Sequence, residues 1–332
     1  MIVDVHAHVI VEAITRAADR GDRWRPEVAW RDGAQVVEFG GREIRSAKRE
    51  FVRIDRILEE EAASRIDHVV LSPWVQLLPY DLTGDEALRI CRIQNEALSE
   101  IASAHAGRVS AVGAVPMQEP EVAARELEKL MGLPRLRGIE VAASVRGLYL
   151  GDDRFTPVWE AAEETGAVVF VHPTTRGFDV PVLHDYYLWN TVGNPVETAV
   201  TAAHLVMAGV LERHPALRVV LSHGGGALMS VRGRLRHAHG FQAEAQARLG
   251  EAPGSSLRRF FYDTVTHDPG LLRDLIEFAG PGQVLLGSDR PFDMGTDRPV
   301  EEVRGLGLSP DQEEAILGGN AGRLFRIGSQ TA

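Results

Sequence analysis

The chain has a single cysteine, Cys91, in 332 residues, which excludes an intrachain disulfide and fits a reducing compartment. Cys91 falls in a helical stretch, where a buried structural thiol is expected rather than a nucleophile. No apolar run is long enough to cross a bilayer. No basic segment followed by an apolar run opens the chain, so no signal peptide is expected, and the expected location is cytoplasmic. Positive charge is also short. Lys and Arg number 36 against 47 Asp and Glu, a formal net charge of -11, which argues against nucleic acid or an anionic membrane as partner. Internal repeats, low-complexity tracts and linker composition are absent. What remains is ordinary: 44% hydrophobic and 25% charged residues, the composition of a globular protein with a sizeable core.

The chain is organised around its first residues, Ile2-Val3-Asp4-Val5-His6-Ala7-His8. Ile2, Val3 and Val5 are β-formers and predict a short buried strand. Side chains alternate along a strand, so His6 and His8 share a face. Two imidazoles on one face at a strand's carboxyl end can grip one metal ion; alone, they are as often polar residues at a loop entrance.

Further strands are predicted at His68–Leu71, Val109–Ala114, Gly138–Val141, Val168–His172, Leu217–Ser222, Phe260–Asp263 and Gln283–Leu286. Helices fall between them: about Phe51–Ser64, Asp85–His105, Pro120–Leu130, Phe155–Thr165, Pro195–Gly209, one from Gly226 to about Arg248, and Leu271–Phe278. Two more, Pro310–Leu317 and Asn320–Phe325, close the chain. Val168–His172 is apolar on both faces, as in a parallel sheet covered on both sides. About eight strand–helix units predict an α/β fold, a single (β/α)8 TIM barrel over residues 1–332. An insertion at about 9–50 follows strand one and carries a small hairpin, Ala34–Ile44, turning at Gly40-Gly41. An insertion of that length is usually functional.

Active sites of this fold lie at the carboxyl ends of the strands. His6 and His8 end strand one, His172 strand five and His223 strand six; Asp289 follows strand eight. Neutral imidazoles and one carboxylate suit zinc, with a water completing the shell. Taken singly, His172 reads equally as a histidine before a loop and Asp289 as a turn or helix cap; their joint placement carries the metal reading. The only lysines, Lys48 and Lys129, lie away from strand ends, so no strand-four lysine bridges two metals. Glu140, on strand four, is either a bridge or a structural interior residue. One divalent ion is expected, zinc first and manganese second. Gly224-Gly225-Gly226 lacks the lysine and hydroxyl of a phosphate loop and is expected to let backbone pass close to the metal site.

His6-Ala7-His8, Val171-His172-Pro173, Ser222-His223-Gly224-Gly225-Gly226, Gly287-Ser288-Asp289 with Pro291-Phe292, and Gly319-Asn320-Ala321 together resemble the amidohydrolase superfamily. The match is closer to its amidohydrolase-2 branch of non-oxidative decarboxylases, typified by 2-amino-3-carboxymuconate-6-semialdehyde decarboxylase. The resemblance runs over nearly the whole chain in the same order. It implies a zinc ion held by His6, His8, His172 and Asp289, with His223 acting on the metal-bound water. The His6/His8 pair leans to the muconate-semialdehyde type, since hydroxybenzoate decarboxylases of the branch often have Glu at the first position. The resemblance also implies that Arg45 and Arg234 bind substrate carboxylate, Arg234 reaching the site of a neighbouring subunit; guanidinium forks suit carboxylates. A homodimer is therefore expected.

Arg290 departs from the tyrosine common before Pro-Phe and suggests a changed pocket polarity. Trp74 is expected to pack at the barrel rim. His68, His105, His204, His214, His237, His239 and His267 are expected as surface or packing residues. The expected function is metal-dependent decarboxylation of a small carboxylated aromatic or muconate-semialdehyde-like substrate through a zinc-bound water, with His223 as base and Asp289 moving the proton. The alternative is a mononuclear metal-dependent hydrolase of an amide, lactone or cyclic ester, which needs nearly the same residues.

Overall fold

Eight parallel strands follow one another around a sheet in chain order: β1 (Val3–Val9), β2 (His68–Pro73), β3 (Val109–Gly113), β4 (Leu136–Ala142), β5 (Val168–His172), β6 (Arg218–Leu221), β7 (Phe261–Asp263) and β8 (Val284–Leu285). The computed structural model describes residues 1–16, 26–31, 34–39, 42–46, 53–174, 178 and 180–328. The sheet closes where the segment after β8 meets β1. Val5 N donates to Leu286 O (2.9 Å), Asp289 N to His6 O (2.7 Å) and His8 N to Arg290 O (2.7 Å). This is the predicted barrel.

Burial on both faces explains the apolar strands. Val3, Val5, Val70, Val112, Val168, Phe170, Val220 and Leu285 form one cluster with Ala321, Leu324 and Phe325 of the C-terminal helix segment. The alternate residues, among them Val69, Leu71, Val169, Val171 and Leu221, join the larger cluster that includes the helices' apolar faces. Helices Ile54–Ala63, Gly84–Ala104, Pro120–Met131, Thr156–Thr165, Asn194–Met207, Leu228–His239 and Pro269–Ala279 connect successive strands. Their ends carry ordinary signals: Gly166 closes one in the left-handed conformation, and Asp268 caps another by accepting from Leu271 N at 2.8 Å. Among the described residues no helix is long and apolar enough to cross a membrane. Cys91 is buried and free.

The hairpin after β1 is present as Ala34–Phe39 and Arg42–Ser46, while Gly40-Gly41 lies outside the described residues. A third antiparallel strand, Glu27–Arg31, extends it, and a short helix, Glu12–Arg16, precedes it. The helix expected to reach Arg248 stops at His239. Gly240 follows, and residues 241–248 are mostly exposed, so no apolar face rewards continuing it. A four-residue helix, Ala243–Gln246, stands apart beyond it.

Candidate active site

The strand period of two brings His6 and His8 to the same inward face, both fully buried, with their Nε2 atoms 3.1 Å apart. His6 Nδ1 donates to Asp263 Oδ2 at 2.6 Å, which directs its Nε2 toward His8 and Asp289. His8 Nδ1 lies 3.0 Å from Ser72 Oγ and 3.3 Å from Pro73 O. His172 Nδ1 donates to Pro173 O at 2.8 Å, and its Nε2 is buried without a hydrogen-bond partner. Asp289 Oδ1 is also buried without a hydrogen bond, 3.2 Å from His6 Nε2 and 3.3 Å from His8 Nε2. Its Oδ2 lies 3.3 Å from His223 Nε2. One ligand atom from each of His6, His172, His223 and Asp289 lies within 4.8 Å of every other. The five residues read from the strand ends therefore meet in one place.

Burial drives the His172 pKa well below its ordinary value, helped by the charges of His223 and His8, and burial also lowers that of His8. Both rings are neutral and offer lone pairs. For His6 burial acts the other way from the outcome: the Asp289 charge and the Asp263 hydrogen bond outweigh it and raise the pKa to about 10. Burial likewise opposes ionisation of Asp289, yet the His6 charge and the nearby ring nitrogens of His223 and His6 hold it well below the carboxylate range. A proton on His6 and a metal ion at His6 Nε2 are thus alternative ways of balancing the same buried carboxylates. Imidazole lone pairs, one carboxylate and the orphaned His172 Nε2 fit a divalent transition ion. Glu140 is fully buried, its Oε1 3.6 Å from His8 Nδ1. Burial pushes its pKa well above the usual range, which disfavours the ionised form that bridging a second cation would require.

Asp263 is a site residue that the sequence reading passed over. Fully buried at the end of β7, it accepts from His6 Nδ1 and from the backbone N–H groups of His223 (2.9 Å), Gly224 (2.8 Å) and Val265 (3.0 Å). One carboxylate therefore orients both His6 and the loop carrying His223. Its signal was a carboxylate at the carboxyl end of a barrel strand. Asp4 acts similarly beneath it, accepting from His6 N at 2.9 Å and Ser288 N at 3.1 Å, and so ties the turn before Asp289 to β1. The glycines after His223 serve a different contact from the one expected. A Cβ on Gly226 would lie 2.3 Å from Pro195 O, and one on Gly224 2.6 Å from Thr266 Cγ2. The close approach is to those neighbours instead of to the metal cluster.

A cavity of about 790 Å³ opens over the cluster and is lined by His172, His223 and Asp289. Its walls are aromatic. Trp74 and Phe292 pack with ring centroids 5.6 Å apart, Phe292 lies 5.0 Å from the His8 ring, and Tyr187 meets Trp189 edge-on at 5.0 Å. Trp74 is buried, as expected of rim packing, and also lines the cavity. His267 lines it too, contrary to expectation, because the loop after β7 turns at this residue with φ 54. Arg290 does not enter the pocket. It is buried against the helix Ile54–Ala63, paired with Glu61 at 3.1 Å and donating to Glu60 O and Asp297 O at 3.2 Å. The pocket's polarity is therefore not set by it. Arg45 lies in the strand Arg42–Ser46 opposite Val36; its side chain is outside the described part of the molecule. Arg234 is exposed on the helix Leu228–His239 and does not line its own chain's cavity.

Residues 3–327 match a family model described as Amidohydrolase. Over 276 residues the chain is 30% identical to a 2-amino-3-carboxymuconate-6-semialdehyde decarboxylase of Dictyostelium discoideum, covering 81% of this chain and 74% of that one. The crystal structure of 5-carboxyvanillate decarboxylase from Sphingomonas paucimobilis superposes with a TM-score of 0.83 at 25% identity, covering 98% and 99% of the two chains. A dihydroxybenzoic acid decarboxylase from Polaromonas sp., solved with bound manganese and an inhibitor, shares the fold with a TM-score of 0.79 at 21% identity, covering 98% and 97%.

Proposed function

The chain belongs to the amidohydrolase family, and from that premise we propose that it is a metal-dependent, non-oxidative decarboxylase of a small carboxylated aromatic or muconate-semialdehyde-like acid. The observation that carries the reading is the convergence of His6, His172, His223 and Asp289, with His8 beside His6 and Asp289 and the His172 Nε2 orphaned, beneath an aromatic-walled cavity. His6, His8, His172 and Asp289 would hold one divalent ion, zinc by the character of the donors; manganese, which the Polaromonas relative holds, is the second choice. Such an ion, when bound, supplies Lewis acidity to substrate oxygens and lowers the pKa of a coordinated water.

The chain's own groups supply the rest. Trp74 and Phe292, their rings tilted 50° to each other, present apolar surface to a substrate ring and keep bulk water from it. When the carbon–carbon bond breaks, carbon dioxide departs and the electron pair left on carbon needs a proton. His223 and Asp289, 3.3 Å apart at the cavity floor, form the proton-carrying pair. His223 would take a proton from a water molecule admitted to the cavity and pass it through Asp289 to the carbon that the carboxylate leaves, hydroxide remaining.

We also read the protein as a cytoplasmic homodimer. Arg234 is exposed and does not line its own chain's cavity, so we assign its contact with a substrate carboxylate to a second subunit; a monomer in sedimentation would overturn this. The decarboxylase reading is tested by product analysis of the metal-loaded protein. Carbon dioxide should be released from members of a panel of carboxylated aromatics and muconate semialdehydes. Ring-opened products from lactones, with no carbon dioxide from any acid, would replace it with the hydrolase.

A further inference from the structure

Positive φ is uncommon outside glycine and is strained for a bulky side chain; such residues gather where function holds them. Nine described residues other than glycine have it, and four of those line the cavity over the histidine cluster: Tyr187 (63), His223 (55), His267 (54) and Asp289 (60). His223 and Asp289 already have roles. Tyr187 and His267 have none.

The two come from separate loops, after β5 and after β7. Tyr187 is braced edge-on by Trp189. The backbone around His267 is fixed on both sides: Thr266 Oγ1 donates to Asp268 O at 3.1 Å, and Asp268 caps the following helix. Tyr187 is 45% exposed and His267 is exposed, so the hydroxyl and the ring meet solvent where they line the cavity and are open to a ligand. The charged residues of the described lining, Glu43, Asp289 and Asp293, are all acidic apart from the histidines, and no lysine or arginine is among them. A second anionic group on a ligand would be repelled there, whereas an uncharged oxygen would find donors. Burial, and then the charges of Asp293 and Asp289, raise the Tyr187 pKa, so its hydroxyl remains a donor.

We propose that Tyr187 and His267 are specificity-determining residues that donate hydrogen bonds to an uncharged oxygen substituent, a phenolic hydroxyl, on the substrate's end remote from the departing carboxylate. The assignment of a departing carboxylate rests on the decarboxylase reading; recognition of the remote oxygen does not.

Two probes separate them. In ortho-nitrophenol and its derivative with a second hydroxyl para to the nitro group, the nitro group stands in for a carboxylate and no carbon dioxide can be lost. Titration calorimetry of the metal-loaded wild type should show tighter binding of the dihydroxylated probe. Tyr187→Phe and His267→Ala should each weaken that probe by about three- to tenfold, the scale of one neutral hydrogen bond. Binding of ortho-nitrophenol and metal content should be unchanged, and His267→Gln, which keeps a donor, should retain much of the preference. No preference in the wild type, or equal weakening of both probes, overturns the proposal. The expected pattern of binding without carbon dioxide release from the matching benzoates would uphold it and sink the decarboxylase reading instead.

Discussion

Replacing His172 with alanine is expected to strip most of the metal from the purified protein, and Asp289→Ala to do the same. Elemental analysis of the unmodified protein should give about one transition metal ion per chain, since only one cluster of ligand atoms is available among the described residues. His172 carries the argument because its tautomer is set. Its Nδ1 proton is engaged by Pro173 O, and its Nε2 is buried with nothing to bond. A buried acceptor left unpaired is costly, and a cation supplies the missing partner. Asp289 carries it for the complementary reason, being held ionised among imidazoles. Asp263→Asn makes an informative contrast. It keeps the shape but loses the charge that orients His6, so metal affinity should fall about 10–100-fold without being abolished. Full occupancy in either alanine variant would sink the ligand assignment.

The barrel could be read from the chain because its strands are short apolar runs, such as Val168–His172, set between well-marked helices. The convergence of His6, His172, His223 and Asp289 could be read because strand ends share one mouth, whatever their separation in sequence. What was missed depends on distance and backbone angle. Asp263 touches His6 across 257 residues, and nothing near it in sequence announces a histidine. Arg290 follows Asp289 directly but packs toward Glu61, so the pocket sees one and not the other. His267 faces the cavity because of a left-handed turn that its residue type does not call for. The third strand of the insertion, Glu27–Arg31, lacks clean alternation and gains its place only by pairing with Ala34–Phe39.

Replacing His223 with alanine should leave the metal largely bound and lower turnover by about a hundredfold or more, the scale of losing a general base. The geometry separates His223 from the other imidazoles. His6 and His8 have fully buried side chains, whereas 17% of the His223 side chain is exposed, on the cavity side of the cluster. Its Nε2 faces Asp289 Oδ2, while His6 and His8 face the other oxygen, Oδ1. Asp263 fixes its backbone, so the ring is aimed by the same carboxylate that orients His6. A group placed this way can exchange a proton with substrate and with Asp289 while the remaining donors keep the ion. Proximity alone allows a different division, because His223 Nε2 lies as close to the cluster as a ligand would. Metal content measured beside turnover decides between them. Activity lost with metal retained makes His223 the base; metal lost in proportion to activity makes it a ligand, and the proton-carrying role would then have to fall on Asp289 alone.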